Sequence, residues 1–458
     1  MAQNCPFLVP QNFYAQLVLN WLIFGNQEDG MQEIKRERYI EQLIARRENG
    51  SIKVITGIRR CGKSYILFNL YRDYLLSTGV KESQIIALAL DDEKNRKFRD
   101  VDVLYDYLTA ATSGNEKMYY IFLDEVQFAI TAEEMKSGDI RLYGVLNGLL
   151  WQCNVDIYVT GSNSKFLSSD VLTEFRGRGD EVRIYPLSFA EFMSAYDGDK
   201  YEGFDEYSMY GGLPLILSRN SDEQKSKYLS DLFEETYKKD IVDRYKLRGD
   251  TVLDNVVDIL ASAVGSPTNP SKLADTFNSH GIKTNKNTIA AYIDYLKDAF
   301  IISQAKRYDI KGKKYIGSPY KFYFTDIGLR NARLNFRQQE QTHILENIIY
   351  NELLVRGFNV DVGIVEYRRR GEDGKLIEVK NEVDFVCNKG NRRYYIQSAF
   401  AIPDKEKMEQ EQASFDHIAD SFKKIIVLQQ RTKPWRNEKG YLIINVIDFL
   451  LDPNSLEL

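Results

Sequence analysis

Eight consecutive residues, Gly57-Ile58-Arg59-Arg60-Cys61-Gly62-Lys63-Ser64, carry two glycines, a lysine and a hydroxyl in the spacing GxxxxGK[ST]. Glycines allow a tight turn in which successive amide N–H groups point inward at the oxygens of an anion. A helix that starts at the lysine adds the positive end of its dipole. In such a loop Lys63 reaches the β- and γ-phosphates of ATP and Ser64 ligates Mg²⁺. The backbone from Gly57 through Tyr65 wraps the phosphate chain. The bland alternative is a Gly-rich turn that binds nothing.

A second set of residues fits the same chemistry. The apolar run YYIFLDEVQ (119–127) ends in Asp124-Glu125. Asp124 is expected to hold Mg²⁺ through water, and Glu125 to polarise the attacking water as general base. The run VTGSNS (159–164) ends beside the nucleotide in a sheet of this kind, so Asn163 or Ser162 is a candidate phosphate sensor. Downstream, EFRGRGDEVRIYPL places Arg176 and Arg178 where a guanidinium can stabilise transition-state charge, in the same subunit or across an interface. An Asn-Ser turn and surface ion pairs are the plain alternatives for these positions. Cys61 is a small residue inside the loop, or an oxidation-sensitive one if a thiolate is stabilised there.

Both carboxylates and the loop need a scaffold, and its elements are legible. The runs IKVIT (52–56), IIALAL (85–90), YYIFLDE (119–125), VDIYVT (155–160) and VRIYPL (182–187) alternate with helical stretches. Near-continuous apolar character marks strands buried on both faces of a parallel sheet. A doubly wound α/β domain over residues 31–190 follows. Before it, MQEIKRERYIEQLIARRENG has helical spacing, whereas residues 1–30 contain no basic residue. We expect 1–30 to be an N-terminal extension, with an ordinary packed helix as the alternative.

Composition narrows the remaining choices. The 458 residues carry 61 Lys+Arg against 66 Asp+Glu, a net charge of −5, which excludes a globally basic nucleic-acid coat protein. Cys5, Cys61, Cys153 and Cys387 are scattered and only three histidines occur, so a disulfide scaffold and a zinc ribbon are both disfavoured. The apolar stretch Phe13–Phe24 is too short to span a bilayer. A soluble cytoplasmic protein without a membrane partner is expected.

With these motifs in place the chain resembles a known group. KVITGIRRCGKSYIL, FLDEVQ, GSNS, FRGR…YPLSFAEF, YGGLP and KFYFTDIGL together look like the large prokaryotic family of AAA-superfamily ATPases that carry a C-terminal domain of unknown function. A strand inserted in the chain between the lysine loop and the Asp-Glu strand is likewise the pattern of the additional-strand class of P-loop ATPases. The resemblance implies a P-loop NTPase sheet, then a helical lid (191–262), a winged-helix-like unit (263–335) and a restriction-endonuclease-like α/β domain (336–458). The function implied is an Mg-dependent ATP-hydrolysing molecular switch, with a homo-oligomer or a protein partner in prospect. The alternatives are a DNA-binding protein that uses ATP as a regulatory ligand, or an ATP-regulated nuclease.

Two segments bear on nucleic acid. In 271–326 two helical patterns precede a hairpin pattern, and residues 283–321 hold nine basic side chains against three acidic ones, with Tyr308, Tyr315 and Tyr320 interleaved. A local charge of +6 in an acidic chain suits contact with DNA phosphates. In the last domain the resemblance places Glu346, Asp384 and Gln397 where restriction-like nucleases hold Mg²⁺. The lysine expected two residues beyond Gln397 is Ala399, so a degenerate module is expected, unless Lys405 or Lys407 substitutes.

Overall fold

In the computed structural model, residues 34–114, 116–162, 179–247, 251–337, 340–370 and 375–458 are described. The expected extension 1–30 lies outside them. The five apolar runs become β1 (Ile52–Thr56), β2 (Ile85–Ala89), β3 (Tyr119–Asp124), β4 (Val155–Gly161) and β5 (Gly179–Arg183). They form one sheet in the order β2-β3-β4-β1-β5, and every neighbouring pair is parallel. β4 therefore separates the strand that feeds the phosphate loop from the strand that ends in Asp124. β5 starts and ends earlier than its apolar run. Ile184 N–H still donates to Thr56 O (2.7 Å), but Pro186 has no N–H with which to continue the ladder.

Strand alternation sends side chains to two cores. Ile52, Val54, Ile121, Leu123, Ile157 and Val159 pack on one face with α3 (Val101–Thr112) and α4 (Arg141–Leu150). On the other face Ile55, Phe122, Tyr158 and Val182 meet α1 (Glu37–Arg46) and α2. α2 runs from Lys63–Tyr65 through a π-helical Ile66–Tyr71 to Arg72–Ser77. Each fully buried side chain of this size contributes about 1.5–3 kcal/mol. One charge pair interrupts the apolar interior. Lys53 on β1 is fully buried and donates to Asp156 on β4, which also accepts from Tyr158 Oη (2.7 Å) and Glu48 N (3.0 Å).

Helices follow the sheet: α5 (Phe189–Met193), α6 (Lys200–Tyr210), α7 (Asp222–Asp231), α8 (Lys239–Tyr245) and α9 (Thr251–Ser262). Next come α10 (Pro270–Ser279), α11 (Lys286–Asp298) and an antiparallel hairpin of β6 (Ile302–Asp309) and β7 (Lys314–Phe324). This hairpin is not a separate small sheet. β6 pairs in parallel with β8 (Asn359–Arg370), so the hairpin forms one edge of an eight-stranded sheet. That sheet continues through β9 (Leu376–Lys389), β10 (Arg392–Ala399) and β11 (Lys423–Leu428) to β13 (Leu442–Asn445), with β12 (Trp435–Arg436) on the far edge. The division drawn at 335/336 thus runs through one sheet, because alternation marks a strand without naming its neighbour. The last apolar run, 441–447, is cut short for a local reason. The Asn445 side chain accepts from Ile447 N (2.9 Å) and turns the chain into a helix, Val446–Leu451. Among the described residues no helix is long and apolar enough to cross a membrane.

Candidate nucleotide site and its lid

The loop 57–64 sits where β1 gives way to α2. Gly57 has φ +145°, and a Cβ there would lie 2.2 Å from the Ile184 carbonyl oxygen, so only glycine fits. Ile58 and Cys61 are fully buried and anchor the loop from below. Burial raises the Cys61 thiol pKa, which opposes an oxidation-sensitive thiolate. Arg36, just before α1, clamps the loop from the side. Its guanidinium donates to Cys61 O (3.1 Å), Tyr185 O (2.7 Å) and Glu191 (2.9 Å). In a trans peptide the carbonyl and the following N–H point in opposite directions. Holding Cys61 O outward therefore turns the Gly62 N–H away from Arg36.

Lys63 is 4% exposed, and its ammonium donates to Gly57 O and Ile58 O, both at 3.1 Å. Across the crevice Ser64 Oγ donates to Asp124 Oδ2 at 2.7 Å. Thr160 of β4 donates to the other Asp124 oxygen and accepts from Glu125 N at 3.0 Å. Burial, then the charge of Glu125, pushes the Asp124 pKa up to about 6, against the hydrogen bonds from Thr160 and Ser64 and the charge of Lys63. Glu125 has a left-handed backbone (φ +51°), and its carboxylate accepts from Gln127 Nε2. The Gln127 amide oxygen is buried without a partner.

The sheet order brings Lys63, Ser64, Asp124 and Glu125 into one crevice. Asn163, Arg176 and Arg178 lie outside the described residues; Ser162, the alternative sensor, is buried at the end of β4. The loop also meets α8: Arg59 pairs with Asp240 at 2.7 Å. Burial raises the Asp240 pKa, opposed by Arg59 and Arg244 and assisted by Glu125, so these charges share one neighbourhood. The Nη1 of Arg244 is buried with no partner. Thr160, Gln127, Arg36, Asp240 and Arg244 were not singled out from sequence. Thr160 had a signal, a hydroxyl closing an apolar strand, whereas the others act from distant segments.

Two motifs of the resemblance meet beside the loop. Asp326 of TDIGL accepts from Gly212 N (2.8 Å) of YGGLP and from Leu329 N (3.1 Å). A Cβ at Gly328 would lie 2.0 Å from Tyr210 O, and one at Gly62 would come within 4.0 Å of Pro214. With a Cβ at Gly211 only 2.2 Å from Asp326 Oδ1, the contact makes Gly211 and Gly328 close-approach positions.

As for Mg²⁺, the residues present fit it. Ser64 and Asp124 are hard oxygen donors already in contact, and the raised Asp124 pKa marks a buried carboxylate short of positive charge. Mg²⁺ is held in this way by one or two protein oxygens, with phosphates and water completing the shell.

Residues 49–193 match the model of an AAA domain, and residues 201–340 match a domain of unknown function, DUF8612. An uncharacterized protein of Haemophilus influenzae is 33% identical over 423 residues, covering 91% of this chain and 98% of that one. A second relative, uncharacterized protein MJ1544 of Methanocaldococcus jannaschii, is 26% identical over 73% of this chain and 75% of its own length. The chain belongs to this family of P-loop proteins, in which an AAA domain is followed by a domain of unknown function. Among solved structures, the Aeropyrum pernix ORC1 protein in complex with DNA overlaps 68% of this chain and 95% of its own at 12% identity and TM-score 0.33. CDC6P from Pyrobaculum aerophilum overlaps 76% and 97% at 11% identity and TM-score 0.25.

Proposed function

We propose that the chain binds ATP with Mg²⁺ in this crevice, hydrolyses it, and uses the bound state to move its lid. The observation that carries the proposal is the 2.7 Å contact between Ser64 and Asp124 beside the buried Lys63 ammonium. Mg²⁺, when bound, neutralises charge on the β- and γ-phosphates. Lys63 supplies a fixed cation at the same oxygens. Thr160 holds Asp124, and Gln127 holds the Glu125 carboxylate, which takes a proton from the attacking water. Arg244, with a buried donor to spare, shares the charged neighbourhood of Asp240 and Arg59 and is a candidate for the role the sequence suggested for Arg178. The Arg59–Asp240 pair links the occupancy of the loop to the position of α8. Glu125→Gln is expected to keep nucleotide binding and stall hydrolysis. Undiminished turnover in that variant would exclude Glu125 as the base.

A second reading, that the chain also contacts DNA, has one structural observation in its favour. Lys311 Nζ lies 5.9 Å from the centre of the Tyr367 ring, which brings the tip of the β6–β7 hairpin next to the end of β8. The exposed Lys306, Lys311, Lys313 and Lys314 thereby join the exposed Arg368, Arg369 and Arg370, a run outside 283–321. Lys321 leaves the set, being buried in an ion cluster. Filter binding at several salt concentrations is expected to show salt-sensitive affinity that falls when Arg368–Arg370 become alanine. No association at low salt would end this reading.

A further inference from the structure

The C-terminal sheet contains a buried set of ionisable groups that the nucleotide site does not use. Glu346 lies on the helix α12 (Gln341–Val355), Glu382 and Asp384 lie on β9, and Lys321 comes from β7 of the hairpin. Lys321, Glu346 and Asp384 are 4%, 8% and 8% exposed. The Lys321 ammonium donates to Glu346 at 2.9 Å and to Glu382 at 2.7 Å. Tyr323 Oη donates to the same Glu346 oxygen at 2.6 Å. Gly265 leaves room for the cluster: a Cβ there would lie 3.0 Å from Glu346 Oε2.

The resemblance placed Glu346, Asp384 and Gln397 where restriction-like nucleases hold Mg²⁺, in a module expected to be degenerate. With Lys321 already bonded to Glu346 and Glu382, the side chains do not fit that ion. Asp384 Oδ2 is taken by Ser398 N and Ser398 Oγ, both at 2.8 Å. The Gln397 amide oxygen points back to Asp384 N at 3.4 Å. Among the described residues no three His, Cys, Asp and Glu side chains are arranged to hold a metal ion. Lys405 and Lys407 do not replace the missing lysine, since they face Glu409 (3.9 Å) and Glu411 (2.6 Å) on their own helix, Lys405–Asp416. The groove beside Ser398 and Ala399, of about 840 Å³, is lined by Asp404, Glu406, Glu409 and Glu411 against Lys407. Such a lining repels a phosphodiester backbone.

We propose that the Lys321 ammonium is the resident cation of this acid cluster, standing where a divalent ion would otherwise sit, and that the cluster locks the β6–β7 hairpin to α12 and β9. An ammonium satisfies buried carboxylates through directed N–H bonds at 2.7–2.9 Å, and one from another segment also fastens that segment. Breaking a buried ion set by removing one partner strands the remaining charge, which makes the joint specific. The C-terminal domain is then a rigid extension of the hairpin and not a metal nuclease.

The test uses the full chain without nucleotide. Mn²⁺ binding is followed by electron paramagnetic resonance for wild type, Asp384→Asn, Lys321→Met and the double variant. Wild type is expected to show no Mn²⁺ site that Asp384→Asn removes. Lys321→Met is expected to gain one, and the double variant to lose it. A wild-type site lost in Asp384→Asn overturns the proposal, as does a folded Lys321→Met that gains nothing. Because Lys321→Met can fail to fold, acylation of native wild type with a water-soluble reagent, mapped by mass spectrometry, provides an independent readout. Lys321 is expected to stay unmodified under conditions that fully modify Lys405, whose side chain is 90% exposed. Equal modification of the two lysines overturns the proposal.

Discussion

Lys63→Ala separates the cost to ligand from the cost to fold. The ammonium is already desolvated and donates to two carbonyl oxygens at 3.1 Å, so one of its three N–H groups is free for a triphosphate and a second is released when one carbonyl bond is exchanged. Each charge-assisted hydrogen bond from such a group is worth about 1.5–3 kcal/mol. Two of them to β- and γ-phosphate oxygens amount to about 3–6 kcal/mol, a loss of ATP affinity of at least about a hundredfold. The fold suffers less. The substitution removes a buried charge along with its two bonds, and the volume vacated by the lysine side chain gives water room to reach the freed Gly57 and Ile58 carbonyls. A stability change within about 1–2 kcal/mol is expected. Calorimetric titration with Mg-ATP and urea unfolding of the same preparation give both numbers. ATP affinity within tenfold of wild type in the folded variant would refute the placement of the triphosphate against Lys63.

Two further outcomes follow from buried charge. Lys53→Met leaves Asp156 uncompensated between β1 and β4, so urea unfolding is expected to show a loss of about 3–5 kcal/mol, largely recovered by adding Asp156→Asn. Asp124 has a folded pKa raised to about 6, above its unfolded value near 4. The folded chain therefore binds more protons between those values, and the contribution of Asp124 to nucleotide-free stability falls as pH rises through that window. Asp124→Asn is expected to flatten the pH profile of thermal unfolding between about pH 4 and 6, and an unchanged profile would show that Asp124 is not the titrating group.

The segments whose function is local were legible from sequence. The phosphate loop works through its own backbone and the helix it starts, so its chemistry is contained in eight adjacent residues. Near-continuous apolar runs located the strands of the parallel sheet because burial on both faces leaves no alternation to confuse. β5 was placed a few residues late, since the apolar run continues past Pro186 after the pairing has ended. Residues that act from a distance carried no such mark. Arg36 and Arg244 read as ordinary charged positions on helical stretches, and Lys53 as a blemish in an apolar strand.

The spacing of glycines, lysine and hydroxyl, together with the carboxylates closing an apolar run, was enough to define the kind of ligand and the domain that holds it. Those features depend on bonds between near neighbours in the chain. Which partner completes each site was decided by the tertiary structure alone. β4 enters between β1 and β3 and carries Thr160 to Asp124, α8 returns Asp240 to Arg59, and the hairpin joins the C-terminal sheet and delivers Lys321 to the carboxylates of Glu346 and Glu382. Such pairings come from which surfaces pack together, and a buried charge accepts whichever opposite charge the packing brings within reach.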